Sequence, residues 1–520
     1  MSRLPLPLVV FLSAAAALAI ELAIVRLGAP HVGQSLLPWT AAITAVLLGL
    51  TLGHALGGRA GGPQASPERL RELMAASCLC AGMGAVAMPA LVEPVATLFA
   101  DGPGSGARAT LALMGLCFLP SVAAGFVTPL AIRIAMATAG DGAKPALPRR
   151  IAAIYAASAI GSVAGTAAAG FWLLEQVGAS GLALGAAALW GATGLLLLRW
   201  RGRPAHAAAW TALALLITAG AMALGTASPC SVESRYTCVR YLDSTGSAGE
   251  RLRFMILDEG VHSATDLDDP GRLPLGYAAL VDRLAGIAFA ASPERSALVI
   301  GGGGATLPRA WARAQPPAQV LVAELDPVVA AEAARAMDAT GPHLRTVTGD
   351  GRAVLRAEPP APRYDVVLMD AYRTHTVPPH LVTAEFGALV HARLRENGVF
   401  LSNVIDRAGS LLLARSLALT LAPLYGRVEI WVAQGEAEDG ATNAVVAAWK
   451  RAADAPADDV LAVTASVMPA DDVARRRTVS WRRLEDEAAL RRRLGGCALR
   501  LSDDRAPVDR LLAGQAPCPD

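Results

Sequence analysis

The chain has 520 residues, of which 53% are hydrophobic, and its formal net charge is only +2. The apolar composition excludes an ordinary cytosolic enzyme, and the near-neutral charge gives no indication of a nucleic-acid partner. Residues 1–227 carry 13 of the 46 Lys and Arg but 7 of the 44 Asp and Glu, so a basic membrane half precedes a mildly acidic half.

Seven apolar segments predict an α-helical membrane domain over residues 1–227. Each is close to or longer than the ~20 residues that a helix needs to cross the hydrocarbon core of a bilayer. The first segment carries Glu21 and is followed by further spans, which argues against a cleaved signal peptide. The predicted spans are Leu6–Leu27, Leu37–Leu56, Leu73–Leu98, Ala109–Met136, Ile151–Val177, Gly181–Leu198 and Ala207–Ala227.

The positive charges between the spans predict the orientation of the chain. Lys and Arg concentrate after the second, fourth and sixth spans, and such loops usually face the cytoplasm. An odd number of spans then places the C-terminal domain outside the cytoplasm, whereas a miscounted span would place it inside. The charges are Arg59, Arg69, Arg71, Lys144, Arg149, Arg150, Arg199, Arg201 and Arg203, with Arg108 the main exception.

Four cysteines lie beyond the predicted spans as two near pairs, Cys230 with Cys238 and Cys497 with Cys518. An even number outside the membrane is compatible with disulfides in an oxidising compartment. The alternative is four buried thiols in a reducing cytoplasm, and no metal-ligand spacing accompanies them.

Ionisable residues at membrane depth are functional candidates because they usually face a bundle interior or a cavity. Glu21 is the deepest of these, whereas Arg26, Glu93 and Arg133 are expected to snorkel to the membrane interfaces. The small residues from Ala156 to Gly170 predict close helix packing.

The remaining sequence predicts a small β unit over residues 228–290 and an α/β domain over residues 291–520. The first contains strands near Arg235–Leu242 and Leu252–Leu257, separated by a glycine turn. In the second, strands alternate with helices, which predicts a parallel, doubly wound sheet of the Rossmann type. Its predicted strands are Ala297–Ile300, Val320–Glu324, Thr346–Thr348, Tyr364–Met369 and Val399–Val404; its predicted helices are Leu307–Arg313, Val328–Met337, Ala353–Ala357 and Thr383–Leu394.

The glycine cluster after the first strand, Gly301–Gly304, predicts a nucleoside-type ligand. Glycines allow close approach of a ligand to the backbone, and Glu324 follows at the distance of a ribose-binding acid. Asp350 and Asp370 also follow predicted strands, so three carboxylates meet at one sheet edge. The alternative for each acid is a helix N-cap or a turn residue.

These motifs resemble the spermidine synthase (polyamine aminopropyltransferase) family over roughly residues 230–410. The likeness rests on Leu298–Gly304, Glu324–Asp326, Gly349–Gly351 and Tyr364–Asp370, with Leu257–His262, Asp268, Asp269 and Tyr277 before them. With its preceding spans, the chain resembles membrane-fused spermidine synthase-like proteins of bacteria, and Leu501–Asp509 is similar to their ending.

The resemblance implies a Rossmann-like, methyltransferase-type domain that uses decarboxylated S-adenosylmethionine, or S-adenosylmethionine itself, as co-substrate. Asp370 would help to deprotonate an amine that attacks the carbon beside the sulfonium, and methylthioadenosine would be released. No metal is implied, and a homodimer is possible. The implied cofactor-binding residues are Gly301, Gly303, Glu324, Asp350 and Gly351, and the implied substrate-binding residues are Tyr277, Tyr372 and Arg373.

Several positions depart from the family pattern. Gly304 replaces an Asp of the glycine motif, Arg373 replaces a second catalytic-loop Asp, and His262 replaces a Gln. Ala278 and Ala279 likewise follow Tyr277 where the family has His or Gln and then Glu. Because a polyamine site should be rich in carboxylates, these losses argue against putrescine as the acceptor. Arg373, His375 and His380 could instead meet an anionic molecule, or the loop could face solvent.

Three functions are compatible with these residues. All three assume a multi-pass protein of a bacterial inner membrane that binds a small molecule. The first is an aminopropyltransferase-like enzyme with an unusual amine acceptor. The second is lyase-type cleavage of the sulfonium compound without an acceptor. The third is a transporter or sensor that binds a nucleoside without turnover.

Overall fold

A computed structural model describes residues 5–33, 36–62, 64–99, 105–139, 146–199, 230–246, 249–269, 271–372, 376–434, 441–467, 475–484 and 499–512. The chain divides into two compact units, Met1–Cys238 and Val239–Asp520. The predicted boundaries after residues 227 and 290 stay predictions.

The first unit is a bundle of apolar helices. They are α1 (Leu6–Val32), α2 (Leu36–Arg59), α3 (Pro67–Leu98), α4 (Ser105–Gly115), α5 (Phe118–Gly125), α6 (Val127–Ala137), α7 (Leu147–Ala168) and α8 (Leu174–Arg199), with a π-helical turn at Ala169–Leu173. A two-residue strand, β1 (Val232–Glu233), follows.

Within the described ranges, five continuous helical stretches are long and apolar enough to cross a membrane. They match the first six predicted spans, because the fifth and sixth form one stretch, Leu147–Leu198, which bends at Gly178. The predicted seventh span, Ala207–Ala227, lies outside the described residues. The predicted region of long apolar helices is therefore confirmed, and its span count remains approximate.

Small residues bring α1 and α7 close together, as the run from Ala156 to Gly170 predicted. A Cβ atom on Gly165 would lie 2.2 Å from the carbonyl oxygen of Ala15, and one on Gly161 would lie 2.4 Å from that of Phe11. Any larger side chain at these positions would separate the two helices.

Two of the three residues expected to snorkel bind backbone carbonyl groups within the first unit. Arg26 is 4% exposed and donates to the carbonyl oxygens of Ser234 and Tyr236. Arg133 donates to carbonyl oxygens in the turn after α2. Carbonyl groups of loops satisfy these guanidinium groups. The expectation that both side chains reach the membrane interfaces stays a prediction. Glu21 lies half-buried in α1.

The disulfide predicted between Cys230 and Cys238 is present. Cys497 and Cys518 lie outside the described residues, so their pairing stays a prediction.

The second unit opens with an antiparallel arrangement of β2 (Cys238–Thr245), β3 (Arg251–Leu257) and β4 (Gly260–Asp266). The α/β part follows with α9 (Gly276–Ala290), β5 (Ser296–Ile300), α10 (Thr306–Arg313), β6 (Gln319–Glu324), α11 (Pro327–Ala336), β7 (Leu344–Thr348), α12 (Gly351–Ala357), β8 (Tyr364–Met369), α13 (Ala384–Arg393), β9 (Leu394–Arg407), α14 (Leu412–Leu421), β10 (Arg427–Ala433), β11 (Ala441–Trp449), β12 (Val460–Val467), β13 (Arg475–Arg483) and α15 (Val508–Leu512). Short 3-10 turns lie at Pro379–Leu381 and Ala452–Asp454.

The large sheet has the strand order β12-β13-β10-β11-β9-β8-β5-β6-β7. Strands β5 to β9 are parallel, whereas β10 to β13 join β9 by antiparallel pairing. The predicted fold class is confirmed, but the sheet is mixed rather than parallel throughout. The ends of β10 and β11, Ala433 and Ala441, are too close in sequence for a parallel crossover, which needs a dozen or more residues.

Strand β5 lies at the centre of the parallel strands and is buried on both faces. Leu298 and Ile300 belong to the apolar cluster on one face, and Ala297 and Val299 to the cluster on the other. The chain continues to β6 on one side of β5 and later to β8 on the other. Such a reversal of strand order opens a crevice at the carboxyl ends of the strands, where ligands bind in this class of fold.

Candidate active site

The glycine loop and Asp370 meet at the crevice between β5 and β8. The backbone N–H of Asp370 donates to the carbonyl oxygen of Ile300 at 2.9 Å. Gly301 has a φ of 78°, and a Cβ atom there would lie 2.5 Å from the carbonyl oxygen of Asp370. Only glycine meets both conditions, so the close contact of the two backbones accounts for this residue.

Glu324 ends β6 and faces the same loop. Its Oε2 accepts from the N–H groups of Gly302 at 2.8 Å and Gly303 at 3.3 Å, and its Oε1 accepts from the N–H of Asp326 at 3.1 Å. Burial raises the pKa of the Glu324 carboxyl, and these N–H groups oppose that change. The sequence-predicted acid is therefore fixed beside the glycine loop.

Strand β4 supports the end of the glycine loop through Ser263, which sequence reasoning missed. The N–H of Gly304 donates to the Ser263 hydroxyl at 2.7 Å. A Cβ atom on Gly304 would lie 2.8 Å from both Met337 Cε and Ser263 Cβ. The family's Asp therefore has no room at Gly304 in this packing. The neighbouring His262, singled out from the sequence, has its Nδ1 2.9 Å from the carbonyl oxygen of Gly260.

Asp370 follows β8 and is held by two side-chain donors. The Tyr277 hydroxyl, from the first turn of α9, donates to its Oδ2 at 3.0 Å. The Asn403 amide, from β9, donates to its Oδ1 at 2.9 Å. Burial raises the pKa of the Asp370 carboxyl, while Asn403 and Tyr277 act in the opposite direction. The result is a desolvated, fixed carboxylate that is a stronger base than an exposed Asp.

Asn403 is the other site residue that sequence reasoning missed. It is 3% exposed and lies on β9, the parallel neighbour of β8. The available signal was a polar pair, Ser402 and Asn403, within the apolar run that predicted the strand Val399–Val404. Reading it required the strand order, which the sequence pattern alone did not provide.

The hydroxyl of Tyr372, predicted to bind substrate, is committed to the backbone of β9. It donates to the carbonyl oxygen of Asn403 at 2.5 Å and accepts from the N–H of Ile405 at 2.8 Å. In this arrangement it fixes the chain after Asp370 against β9. Arg373 and His375 lie outside the described residues, so their predicted roles stay predictions.

Asp350 caps the helix that follows β7, as the alternative interpretation of the sequence proposed. Its Oδ1 accepts from the N–H of Ala353 at 2.9 Å, and its Oδ2 lies 2.7 Å from His380 Nε2. Burial raises the pKa of Asp350, but the cap and His380 outweigh it and leave the pKa below its usual value. Gly351 is buried, and a Cβ atom there would lie 2.1 Å from Ile300 Cγ2, so its small size serves packing.

The C-terminal motif docks on the same helix start. Arg352 is 6% exposed and donates to the two carboxylate oxygens of Asp503 at 2.6 and 2.7 Å. The Thr383 hydroxyl also donates to Asp503, at 2.8 Å. The pKa of Asp503 is lowered to about 2, chiefly by Arg352. This ion pair joins the C-terminal segment Leu501–Asp509 to the start of α12, which Asp350 caps.

The structure thus brings Gly301, Glu324, Asp370 and Tyr277 to one sheet edge. The loop and Glu324 have the groups to hold a nucleoside, and Asp370 has the environment of a base. In the described part of the chain, no group of three His, Cys, Asp or Glu side chains is arranged to hold a metal ion.

Curated proteins match about a third of the chain. The polyamine aminopropyltransferase of Vibrio vulnificus (strain CMCP6) is 32% identical over 169 residues, which are 32% of this chain and 53% of that protein. The probable polyamine aminopropyl transferase of Bifidobacterium longum (strain NCC 2705) is 29% identical over 170 residues, which are 32% of this chain and 36% of that protein. The chain therefore spans about half or less of the length of these relatives.

Among solved structures, a probable spermidine synthase from Corynebacterium glutamicum aligns with a TM-score of 0.41 and 18% identity, covering 52% of this chain and 95% of that chain. Human Methyltransferase-like protein 13 in complex with SAH aligns with a TM-score of 0.30 and 22% identity, covering 34% and 84%. No family model matches the chain. The resemblance inferred from the motifs is confirmed at the sequence level: part of this chain is similar to polyamine aminopropyltransferases.

Proposed function

We propose that the chain is an integral membrane transferase that moves an aminopropyl group from decarboxylated S-adenosylmethionine to an amine and releases methylthioadenosine. The observation that carries the proposal is the fixing of Asp370 by Tyr277 and Asn403 beside the glycine loop. The similarity to polyamine aminopropyltransferases supports the same reaction class.

The adenosine part of the co-substrate would lie along the glycine loop, with its ribose hydroxyls donating to Glu324. The loop allows close backbone approach, and Glu324 is already oriented by Gly302 and Gly303. Asp350 would accept from the adenine amino group. Its Oδ2 lies within hydrogen-bonding distance of His380, so this contact requires the two donors to share the carboxylate. S-adenosylmethionine is the alternative co-substrate.

The chemistry requires a neutral amine at the reacting carbon. Asp370 takes the proton of the acceptor ammonium, and the freed nitrogen lone pair attacks the carbon beside the sulfonium. The new N–C bond forms as the C–S bond breaks, and the sulfur keeps the electron pair in methylthioadenosine. The raised pKa of Asp370 favours proton uptake, while the site contributes positioning.

The acceptor is proposed to be an amine other than putrescine. Gly304 lacks room for the family's Asp, and Ala278 and Ala279 stand where polar residues are usual. A dication would therefore meet fewer carboxylates here than in the family pattern. An acceptor with one ammonium group fits Asp370 as the proposed base.

The same reduction in carboxylates favours a second candidate, lyase-type cleavage. In that reaction an amine or carboxylate of the sulfonium compound itself attacks the carbon beside sulfur. Asp370 would again accept the proton where the attacking group is an amine. Methylthioadenosine is released in both reactions, but only the transferase requires an added acceptor.

We place the protein in a bacterial inner membrane as a multi-pass protein. Five apolar helical stretches in the described part of the chain support membrane insertion. The lipid bilayer is then a permanent partner, and a homodimer is the proposed assembly on family resemblance.

The test uses purified full-length protein with S-adenosylmethionine or its decarboxylated form, with and without a mixed amine pool. Amine-dependent release of methylthioadenosine is expected, and it should be lost in Asp370→Asn. The matched control is Asp459→Asn, because Asp459 is 75% exposed and pairs with Arg483 rather than with any site residue. Amine-independent release would establish the lyase reaction. No release by folded protein would contradict both enzymes and favour a nucleoside-binding transporter or sensor.

A further inference from the structure

A disulfide joins Cys230 to Cys238. We call the segment that it closes, residues 230–238, the disulfide loop. This loop contacts the C-terminal part of α1. Arg26 donates from Nη1 to the carbonyl oxygen of Tyr236 at 2.6 Å and from Nη2 to that of Ser234 at 2.8 Å. Because Arg26 is buried, these bonds are shielded from solvent and fix the loop at one position on α1.

The disulfide loop also contacts the bend near the start of α8. Gly178 leaves the helical conformation with a φ of 68°, and the N–H of Ala179 donates to Glu233 Oε1 at 3.0 Å. Arg235 pairs with Glu175 at 2.7 Å on the preceding turn. Glu233 of the disulfide loop therefore caps the helix that resumes after Gly178.

These contacts define one face of the helical unit. Arg26 lies about 9 Å from the Val32 end of α1 and about 30 Å from its Leu6 end, at 1.5 Å per residue. His31, at the same end, lies 3.4 Å from Glu93 near the end of α3. The ends of α1 and α3, the bend near the start of α8, and the disulfide loop share this face.

The opposite face carries most of the positive charges of the described helices. Arg133 of α6 donates to the carbonyl oxygens of Ala60 and Gly62, so the end of α6 lies beside the turn after α2. Successive long helices run in alternating directions, so this face also holds the starts of α3 and α7 and the ends of α2 and α8. Their basic residues are Arg59, Arg69, Arg71, Arg149, Arg150 and Arg199.

We propose that the disulfide loop is extracytoplasmic and that the second unit works outside the cytoplasm. The face rich in Arg is cytoplasmic by the positive-inside rule, which puts the loop on the other side. A disulfide persists in an oxidising compartment, in agreement with that placement. Val239 follows the loop directly, so the second unit begins on the extracytoplasmic side.

An extracytoplasmic site also has a consequence for the supply of the co-substrate, and this part rests on the proposed function. A nucleoside sulfonium carries a fixed positive charge and does not cross hydrocarbon readily. A transport step must therefore supply it to the extracytoplasmic side, and methylthioadenosine is released there.

Cysteine labelling in intact cells tests the placement with the full chain. Asp459→Cys reports the second unit, and Glu68→Cys reports the Arg-rich face; both positions are exposed. A membrane-impermeant maleimide is expected to label Asp459→Cys in intact cells above the wild-type background, and Glu68→Cys only after lysis. Labelling of Asp459→Cys only after lysis, or recovery of Cys230 and Cys238 as free thiols from cells alkylated before lysis, would overturn the placement.

A second experiment separates this inference from the proposed reaction. Intact cells receive external decarboxylated S-adenosylmethionine with the amine pool, and methylthioadenosine is measured in the medium. Release by wild type but not by Asp370→Asn is expected. Release that appears only after lysis would contradict the extracytoplasmic site. If neither intact nor lysed cells release it while Asp459→Cys is labelled from outside, the reaction fails and the placement stands.

Discussion

Replacing Tyr277 with Phe removes one hydrogen-bond donor from Asp370 and keeps the aromatic ring. The Tyr277 hydroxyl donates to Asp370 Oδ2 at 3.0 Å. Burial raises the pKa of Asp370, and Asn403 and Tyr277 both lower it. Loss of the tyrosine donor is therefore expected to raise the pKa of Asp370 further.

The size of the effect follows from the charge on the acceptor. A hydrogen bond to a charged group contributes about 1.5–3 kcal/mol. Since 1.36 kcal/mol corresponds to one pH unit, the change moves a titration by about one to two units. Asp370 acts as a base and must be ionised, so activity falls as the pH decreases through its pKa. In Tyr277→Phe that fall should occur at higher pH.

The assay is the pH dependence of kcat/KM for methylthioadenosine release, which reports the free enzyme. Tyr425→Phe is the matched control because its buried hydroxyl donates to the carbonyl oxygen of Gly387 at 3.0 Å, not to Asp370. An acid limb that stays in place in Tyr277→Phe, or moves equally in both variants, would refute the assignment of Tyr277 as a partner of the base.

Three further changes test other contacts. Asp503→Asn should lower the midpoint of thermal unfolding near neutral pH, because the ion pair with buried Arg352 is lost. The lowered pKa of Asp503 gives stability above pH 3.8 that disappears as the pH falls towards about 2, so the difference from wild type should vanish over that window. Gly304→Asp should destabilise by about 1–3 kcal/mol, because its Cβ atom would lie 2.8 Å from Ser263 Cβ on β4. This variant is therefore not expected to make spermidine from putrescine, and a stable variant that does so would contradict the prediction. Arg26→Ala should lower the unfolding midpoint more than Arg26→Lys, because it removes two hydrogen bonds of about 1.5–3 kcal/mol each; equal midpoints would contradict the contact.

The parts of the fold that depend on local pattern were predictable from the sequence. Strand β8 was predicted at its observed bounds, Tyr364–Met369, because it is an apolar run closed by an acid. The glycine loop, Glu324 and Asp370 fall at strand ends, and parallel strands bring such ends to one edge. The same rule could not decide that Asp350 caps a helix, since Asp suits both roles.

What the sequence could not provide is the neighbour of each element. Asn403 reaches Asp370 because β9 pairs with β8, and Ser263 reaches Gly304 because β4 packs on the glycine loop. Both contacts join segments distant in the chain. The antiparallel strands β10 to β13 were missed, together with α14. Helix α14 and β10 still alternate, but from β10 onward the described strands follow one another without a described α-helix between them, so the pattern that revealed the earlier strands no longer applies.

The most direct test of the account follows the aminopropyl group itself. Decarboxylated S-adenosylmethionine labelled in its aminopropyl carbons is incubated with full-length protein and the amine pool, and the amines are analysed by mass spectrometry. The account predicts labelled amine in amounts equal to methylthioadenosine from wild type and Asp459→Asn, and none from Asp370→Asn. Label that never reaches an amine, or transfer that continues in Asp370→Asn, would contradict it.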